Sequence, residues 1–486
     1  MMTPDAMTLD ASTLPAPFPA TPTRKPLEKL ATRLALVTAV AALFGQPNAL
    51  FVYLPIYPII ALLLILVLSG VAAYTLVRGR PHALPIINLF LPTLIFLSYS
   101  SVSLAYAPDV LYGARILSSM AFKFFLFLSL VVCCAREEDI RKLLLIVAAL
   151  GSLFSVQGLL YVAGKLFFNL QPIGFIQSVS SFGPRDYGLA LESYGILGFA
   201  KAYNTIGGIS LPRCQAMFME PGWFGTFLEL SLFATLGWFS LTGYVHKRAT
   251  YWMLGLQIVA LLFSFSSAAW FAVAAGALLY IALRLFVRPA TFSRRRLRQV
   301  AVAVISLVTL LAVLSIGFPA VAEDIYRAVY LAKFVGDAQE LTSSSDRLSK
   351  AADSLVLFQQ KPFFGWGSNQ LPIIAAKGQS VGNAFLTAAT ELGVLGLAVY
   401  VTMLGAISWT VFTNMRAAYR LRSEAQIGLS AALAGFLLAS FVHSMFVDSE
   451  WLFCYWVGLA LIYINRRLLV RLTAAPAEDG IHLQQE

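Results

Sequence analysis

The chain has 486 residues, of which 59% are apolar and only 12% charged, about half the charged share of an average soluble domain. A mean hydropathy of +0.76 excludes a water-soluble fold. Continuous apolar runs such as 59–67 and 301–313 lack the alternation of a membrane β-strand, so the expected class is an all-α, polytopic integral membrane protein.

In chain order, residues 1–29 are rich in Pro, Thr and Ala and end in a basic stretch (Arg24, Lys25, Lys29). No short apolar segment with a small-residue cleavage site precedes Lys29, so they read as a disordered cytoplasmic tail. Apolar runs then predict about twelve transmembrane helices, at 34–54, 56–77, 83–104, 115–134, 143–164, 218–243, 251–266, 268–287, 299–318, 383–411, 427–447 and 451–466. They form a transmembrane domain over 30–466, with a second cytoplasmic tail at 467–486. Basic clusters mark alternate junctions: Arg24 to Arg33, Arg78/Arg80, Arg136 to Lys142, Lys247/Arg248, Arg284 to Arg298, Arg416 to Arg422 and Arg466 to Arg471. The net charge of +11 is thereby explained by topology, and no nucleic acid is implied. The junctions near 46–53, 107–112, 266–267 and 448–450 carry no Lys or Arg. By the positive-inside rule both termini are cytoplasmic.

That orientation turns two long segments, 165–217 and 319–382, to the outside. Loops of such length are uncommon unless functional or disordered, and neither is low-complexity. The first is punctuated by Gly and Ser, with apolar turns near 167–176 and 187–199 that suit the membrane interface. The second holds amphipathic stretches at 320–335 and 345–359; Ser343, Ser344 and Ser345 are candidate N-caps for the latter, and Lys361-Pro362 ends it. Cys133, Cys134, Cys214 and Cys454 form no metal-type or disulfide pattern.

An outward-facing enzyme has no access to nucleotide-activated donors, so it needs a substrate already activated on a lipid. Arg185, Arg213, Arg327 and Arg347 lie in the two outer segments, where guanidinium groups suit phosphate or diphosphate, or else lipid headgroups. The sharpest local pattern runs from Arg213 to Glu220-Pro221 at the start of the sixth span. Glu220 is either a helix-start acid beside Pro221 or a general base within reach of Arg213. His443, near the outer end of the eleventh span, is either a proton-handling group or a hydrogen-bonded interfacial histidine beside Trp451. Lys123, Glu229 and Glu391 fall inside predicted spans, where ionisable groups are functional candidates by default. Trp223 and Trp366 are the aromatics best placed to touch sugar.

A second pattern runs Ser343-Ser-Ser-Asp346-Arg347, then Pro362-Phe-Phe-Gly365-Trp366-Gly367, then Gly382-Asn383, then Glu391-Leu-Gly393-Val-Leu-Gly396. In order and spacing it resembles the O-antigen ligase/polymerase superfamily of bacterial envelope glycosyltransferases, well over roughly 205–400 and by topology elsewhere. The resemblance implies a GT-C-like, metal-independent glycosyltransferase of the inner membrane, without cofactor, acting at the periplasmic face on undecaprenyl-diphosphate-linked glycans. It further implies membrane lipid around the site and a chain-length regulator as a partner by analogy. In that picture Arg213 and Arg347, with Glu220 as base, are catalytic, and Arg185, Arg327, Asp346, Trp366, Asn383 and His443 bind substrate. Two departures stand out: Gly382 precedes Asn383 where ligases resemble one another in having His, and Ser266-Ser267 stands where many relatives resemble a Ser-Arg pair. The first favours a polymerase of lipid-linked repeat units over a ligase to lipid A-core. A transporter or flippase of lipid-linked glycan would instead distribute polar residues along a midplane pathway.

Overall fold

The computed structural model describes residues 26–45, 57–78, 84–134, 136–168, 194–195, 198–199, 203–206, 209–216, 218, 221–287, 338–375, 382–445 and 452–474. Its helices are α1 (Pro26–Gly45), α2 (Tyr57–Arg78), α3 (Leu84–Ser103), α4 (Val110–Cys133), α5 (Glu137–Phe168), α6 (Pro221–Thr242), α7 (Lys247–Phe263), α8 (Ser267–Val287), α9 (Ala338–Gln360), the single turn α10 (Leu371–Ile374), α11 (Ala384–Arg420), α12 (Glu424–Ser444) and α13 (Phe453–Ala474). Seven of them, α4, α5, α6, α8, α11, α12 and α13, are long and apolar enough to cross a bilayer. Eleven of the twelve expected spans overlap described helices, the first only over 34–45; the ninth, 299–318, lies outside the described residues.

Helix ends reach beyond the apolar runs because peptide hydrogen bonding continues into polar residues. Thus α1 begins at Pro26, inside the segment read as tail, and α13 runs past 466 to Ala474. The first turn of α5 carries Glu137, Glu138 and Asp139, acids that complement the positive end of the helix dipole. Asp109 caps α4 by accepting from Tyr112 N, Asn383 caps α11 through Leu386 N, and Ser423 caps α12 through Gln426 N. The second amphipathic helix starts at Ala338, so Ser343 to Ser345 lie within α9 rather than capping it. In the first long segment two antiparallel hairpins form, β1 (Tyr194–Gly195) with β2 (Gly198–Phe199), at the end of the stretch expected as an apolar turn over 187–199, and β3 (Tyr203–Ile206) with β4 (Ile209–Pro212); the stretch 169–193 lies outside the described residues.

Most of the described core is one large apolar cluster in which α12 packs on α8 and α6, beside a small one of Ala418, Ile427 and Leu469. Small residues permit the α8–α12 approach: a Cβ on Gly435 would stand 2.7 Å from Gly276 O. Polar side chains tie helices where no water competes. Gln257 Nε2 of α7 donates to Ala148 O (3.0 Å) and Ser152 Oγ (3.1 Å) of α5, and Thr235 Oγ1 of α6 meets Gln257 Oε1 (3.3 Å). At the basic end, Arg136 pairs with Glu28 (3.5 Å), and Arg467 donates to the carbonyls of Val131 and Val132. The functional features below lie at the opposite end.

Candidate functional site

Arg213 follows β4 directly, and the segment it opens is pinned by its own sequence. Phe218 is fully buried, edge-on to Phe154 (5.9 Å) and tilted against Phe224 and Phe227 (5.4 Å each). Cys214 N donates to Phe263 O (2.8 Å) at the end of α7. Burial pushes the Cys214 thiol up from 9.0 to about 12, so it is a packing group rather than a nucleophile. Arg213 itself donates from Nε to Ser264 O (2.9 Å) and from Nη2 to Phe265 O (3.0 Å). Those carbonyls belong to the α7–α8 turn, where Phe265 adopts φ 50, a conformation costing a bulky L-residue about 1–2 kcal/mol. The α7–α8 turn, which carries Ser266-Ser267, is thus held by an arginine from a different segment.

Beside this turn, Glu229 of α6 and His443 of α12, both with no exposed surface, are joined through Glu229 Oε1 and His443 Nδ1. Thr226 Oγ1 stands 3.5 Å from the same nitrogen. His443 Nε2 and Glu229 Oε2 have no hydrogen-bond partner among the described residues. A Cβ on Gly225 would stand 3.7 Å from both His443 Cε1 and Ser266 Oγ, so the imidazole and the strained turn flank one glycine. Two residues beyond His443, Met445 O accepts from Asn383 Nδ2 (3.1 Å), which brings the start of α11 to the same end.

A second feature explains the Pro-aromatic-Gly-x-Gly and Glu-x-Gly motifs as two halves of one joint. α11 breaks at Gly393 (φ 69, ψ −172), backbone angles open to glycine alone, and the segment 362–371 fills the break. Val394 N donates to Pro362 O (2.8 Å), Trp366 N to Thr390 O (3.2 Å) and Gly367 N to Glu391 O (2.8 Å). Peptide groups freed within an apolar helix must find such partners. The Glu391 carboxylate accepts from Asn369 N (2.6 Å) and Leu371 N (3.0 Å), and so braces the broken helix against the loop. Gln370, fully buried, exchanges two hydrogen bonds (2.9 Å each) with the backbone of Asp109. A cavity of about 60 Å³ beside the joint is lined by Asn369, Thr387, Glu391, Tyr400 and Trp456 among others.

Of the residues read from the sequence, Arg213, Asn383 and His443 gather at one end of the bundle. Trp366 gives its indole N–H to Leu357 O (2.9 Å), and its ring carries Lys361 Nζ at 4.0 Å. Asp346 and Arg347 lie on α9, with their side chains outside the described set; Arg185, Glu220 and Arg327 lie outside the described residues altogether. His443, weighed as an interfacial residue, is fully buried instead. Its partner Glu229 stood out in the sequence only as an acid within an apolar run. Among the described residues no three His, Cys, Asp or Glu side chains gather as metal ligands would.

The joint between loop and broken helix lies within the one stretch of the chain that matches a known family. Residues 252–401 match the family described as O-antigen ligase. The match, over about a third of the chain, is consistent with the O-antigen ligase/polymerase superfamily and supports an O-antigen ligase- or polymerase-like, glycosyl-transferring role in a multi-pass membrane setting. The matched region contains Arg347, Trp366, Asn383 and Glu391, whereas Arg213, Glu229 and His443 fall outside it. No curated protein matches the chain.

Proposed function

We propose that this protein is a polymerase that joins undecaprenyl-diphosphate-linked oligosaccharide repeat units at the periplasmic face of the bacterial inner membrane. The donor's lipid tail stays in hydrocarbon, its diphosphate meets Arg213 and Arg347 near the outer headgroups, and an acceptor hydroxyl displaces it at the anomeric carbon. Guanidinium groups suit this step because charge builds on the departing diphosphate, and fixed positive charge stabilises it without reorganisation. The anchoring of Arg213 by two carbonyls supports that role by holding its plane in one orientation. The membrane embedding follows the apolar helices, and the orientation follows the alternation of basic clusters.

The observation that carries polymerase over ligase is Gly382. It adopts φ 68 immediately before the N-cap Asn383, a conformation that glycine takes freely and that costs a residue with a side chain about 1–2 kcal/mol. The position is thus built for glycine, in keeping with a chemistry that does not use an imidazole there. The test is the glycan produced in cells. Arg213→Ala and Arg347→Ala, each still present in the membrane, should reduce long-chain polysaccharide to single repeat units. Polymerised glycan left on undecaprenyl diphosphate would identify a ligase. Normal chain-length ladders from both variants would refute the diphosphate assignment, and flux of labelled glycan across proteoliposomes without bond formation would favour a flippase.

A further inference from the structure

We infer that Glu229 and His443 form a buried proton-accepting dyad that serves the glycosyl-transfer site through the Ser266 hydroxyl; this inference rests on the function proposed above. Three independent features of the geometry lead to it. First, a carboxylate and an imidazole share one hydrogen bond inside an apolar bundle, with no exposed surface on either. Burying two ionisable groups in such surroundings is costly, and their retention calls for a use that an apolar pair could not supply. Second, the carboxylate at Nδ1 selects the tautomer with its proton on that nitrogen and leaves the Nε2 lone pair available; Nε2 has no partner among the described residues. Third, the ring and Ser266 Oγ face the same glycine, Gly225. Ser266 adjoins the turn that Arg213 grips, and His443 lies within one helical turn of the carbonyl that holds Asn383.

Of the charged groups on the helices packed around α12, Arg416 and Arg420 fall at the end of α11 and Arg466 and Arg471 in the later half of α13, away from the dyad. Glu391 of α11 is turned to the amides of Asn369 and Leu371, Arg284 of α8 to Glu424 O at the far end, and Arg467 of α13 to Val131 O. Glu229 alone among the described acids meets the ring.

The step balances as follows. The acceptor oxygen bonds the anomeric carbon while the carbon–diphosphate bond gives its electron pair to the diphosphate. The acceptor's proton passes to Ser266 Oγ, the Ser266 proton to a water bridging the gap to the ring, and that water's proton to His443 Nε2, which lies beyond direct hydrogen-bond reach of the hydroxyl. Glu229 then balances the imidazolium until the proton returns to water by the same route. His443 and Glu229 are positioning and proton-holding residues, since neither has exposed surface with which to touch substrate.

The test uses the full-length protein in nanodiscs, with undecaprenyl-diphosphate-linked oligosaccharide as the probe, and follows glycosyl transfer against pH. General-base contributions are typically about 100- to 10,000-fold. His443→Gln and Glu229→Gln should each lower kcat by at least about 100-fold with KM little changed, and should erase the acid limb of the pH profile. Glu229→Asp should recover part of the rate, which a purely structural loss would not allow. Size-exclusion profiles and thermal midpoints matching the parent protein establish folding. Retention of rate and acid limb in His443→Gln, or loss of the limb in Glu220→Gln but not in His443→Gln, overturns the inference. Imidazole nitrogen NMR decides the dyad separately. Wild type should show the proton on Nδ1 and Glu229→Gln should change that signature, whereas a proton on Nε2 in wild type sinks the dyad. An inert wild type with the expected NMR signature would refute the donor assignment, and the proton-accepting role with it.

Discussion

Replacing Gly393 by alanine tests the joint between α11 and the 362–371 segment most directly. The backbone there has φ 69 and ψ −172, and holding a side-chain-bearing residue in such a region costs about 1–3 kcal/mol. The added Cβ would also overlap the Phe363 carbonyl and stand 2.6 Å from Phe364 N. These are backbone atoms that cannot swing away, and overpacking of this kind costs about 1–3 kcal/mol more. The alternative is to release the loop. That would give up four peptide hydrogen bonds of about 1 kcal/mol each and two to a carboxylate of about 1.5–3 kcal/mol each, about 7–10 kcal/mol in all. Strain is the cheaper outcome, so the loop stays docked and the protein loses about 2–6 kcal/mol of stability. Gly405→Ala is the control: nothing lies within 4 Å of its Cβ, and alanine in a helix is favoured by about 1 kcal/mol. Denaturation of the purified protein in mild detergent, run in parallel on both variants, reads the difference. A Gly393→Ala protein as stable as Gly405→Ala, within about 1 kcal/mol, would show that the break is not held as described.

Glu391→Gln keeps the shape but leaves one of the amides of Asn369 and Leu371 facing an NH2 group. The lost charge-assisted bond and the orphaned donor should cost about 2–4 kcal/mol, seen as a lower thermal midpoint and faster proteolysis within 361–371; an unchanged midpoint would refute the bracing role. Cys214, with its thiol raised from 9.0 to about 12, should be about one part in ten thousand thiolate at pH 8, against about one tenth for an ordinary thiol. Maleimide should therefore label it slowly in the folded protein and rapidly after denaturation. Equal rates in the two states would contradict its burial against Gly158 and Phe263.

Membrane class and helix positions were legible in the sequence because the signal is local: a run of about 20 apolar residues reports a bilayer-spanning helix without reference to any partner. The exact ends were not, since Glu137, Glu138 and Asp139 extend α5 while leaving the hydropathy pattern. The motifs at Pro362 to Gly367 and Glu391 to Gly396 were visible as family features, and so was the oddity of an acid at Glu229. Their meaning required three dimensions. Glu229 meets a histidine 214 positions away, and Arg213 reaches carbonyls 51 and 52 positions on. No periodicity along the chain encodes such pairings, because they follow from which helix faces pack together. Composition and periodicity thus determined a helical membrane protein with polarity concentrated in a few segments. Tertiary packing alone decided that the broken helix is completed by a distant loop and that the buried acid faces an imidazole, because a peptide group or charge sealed from water must take its partner from whatever the fold brings within reach.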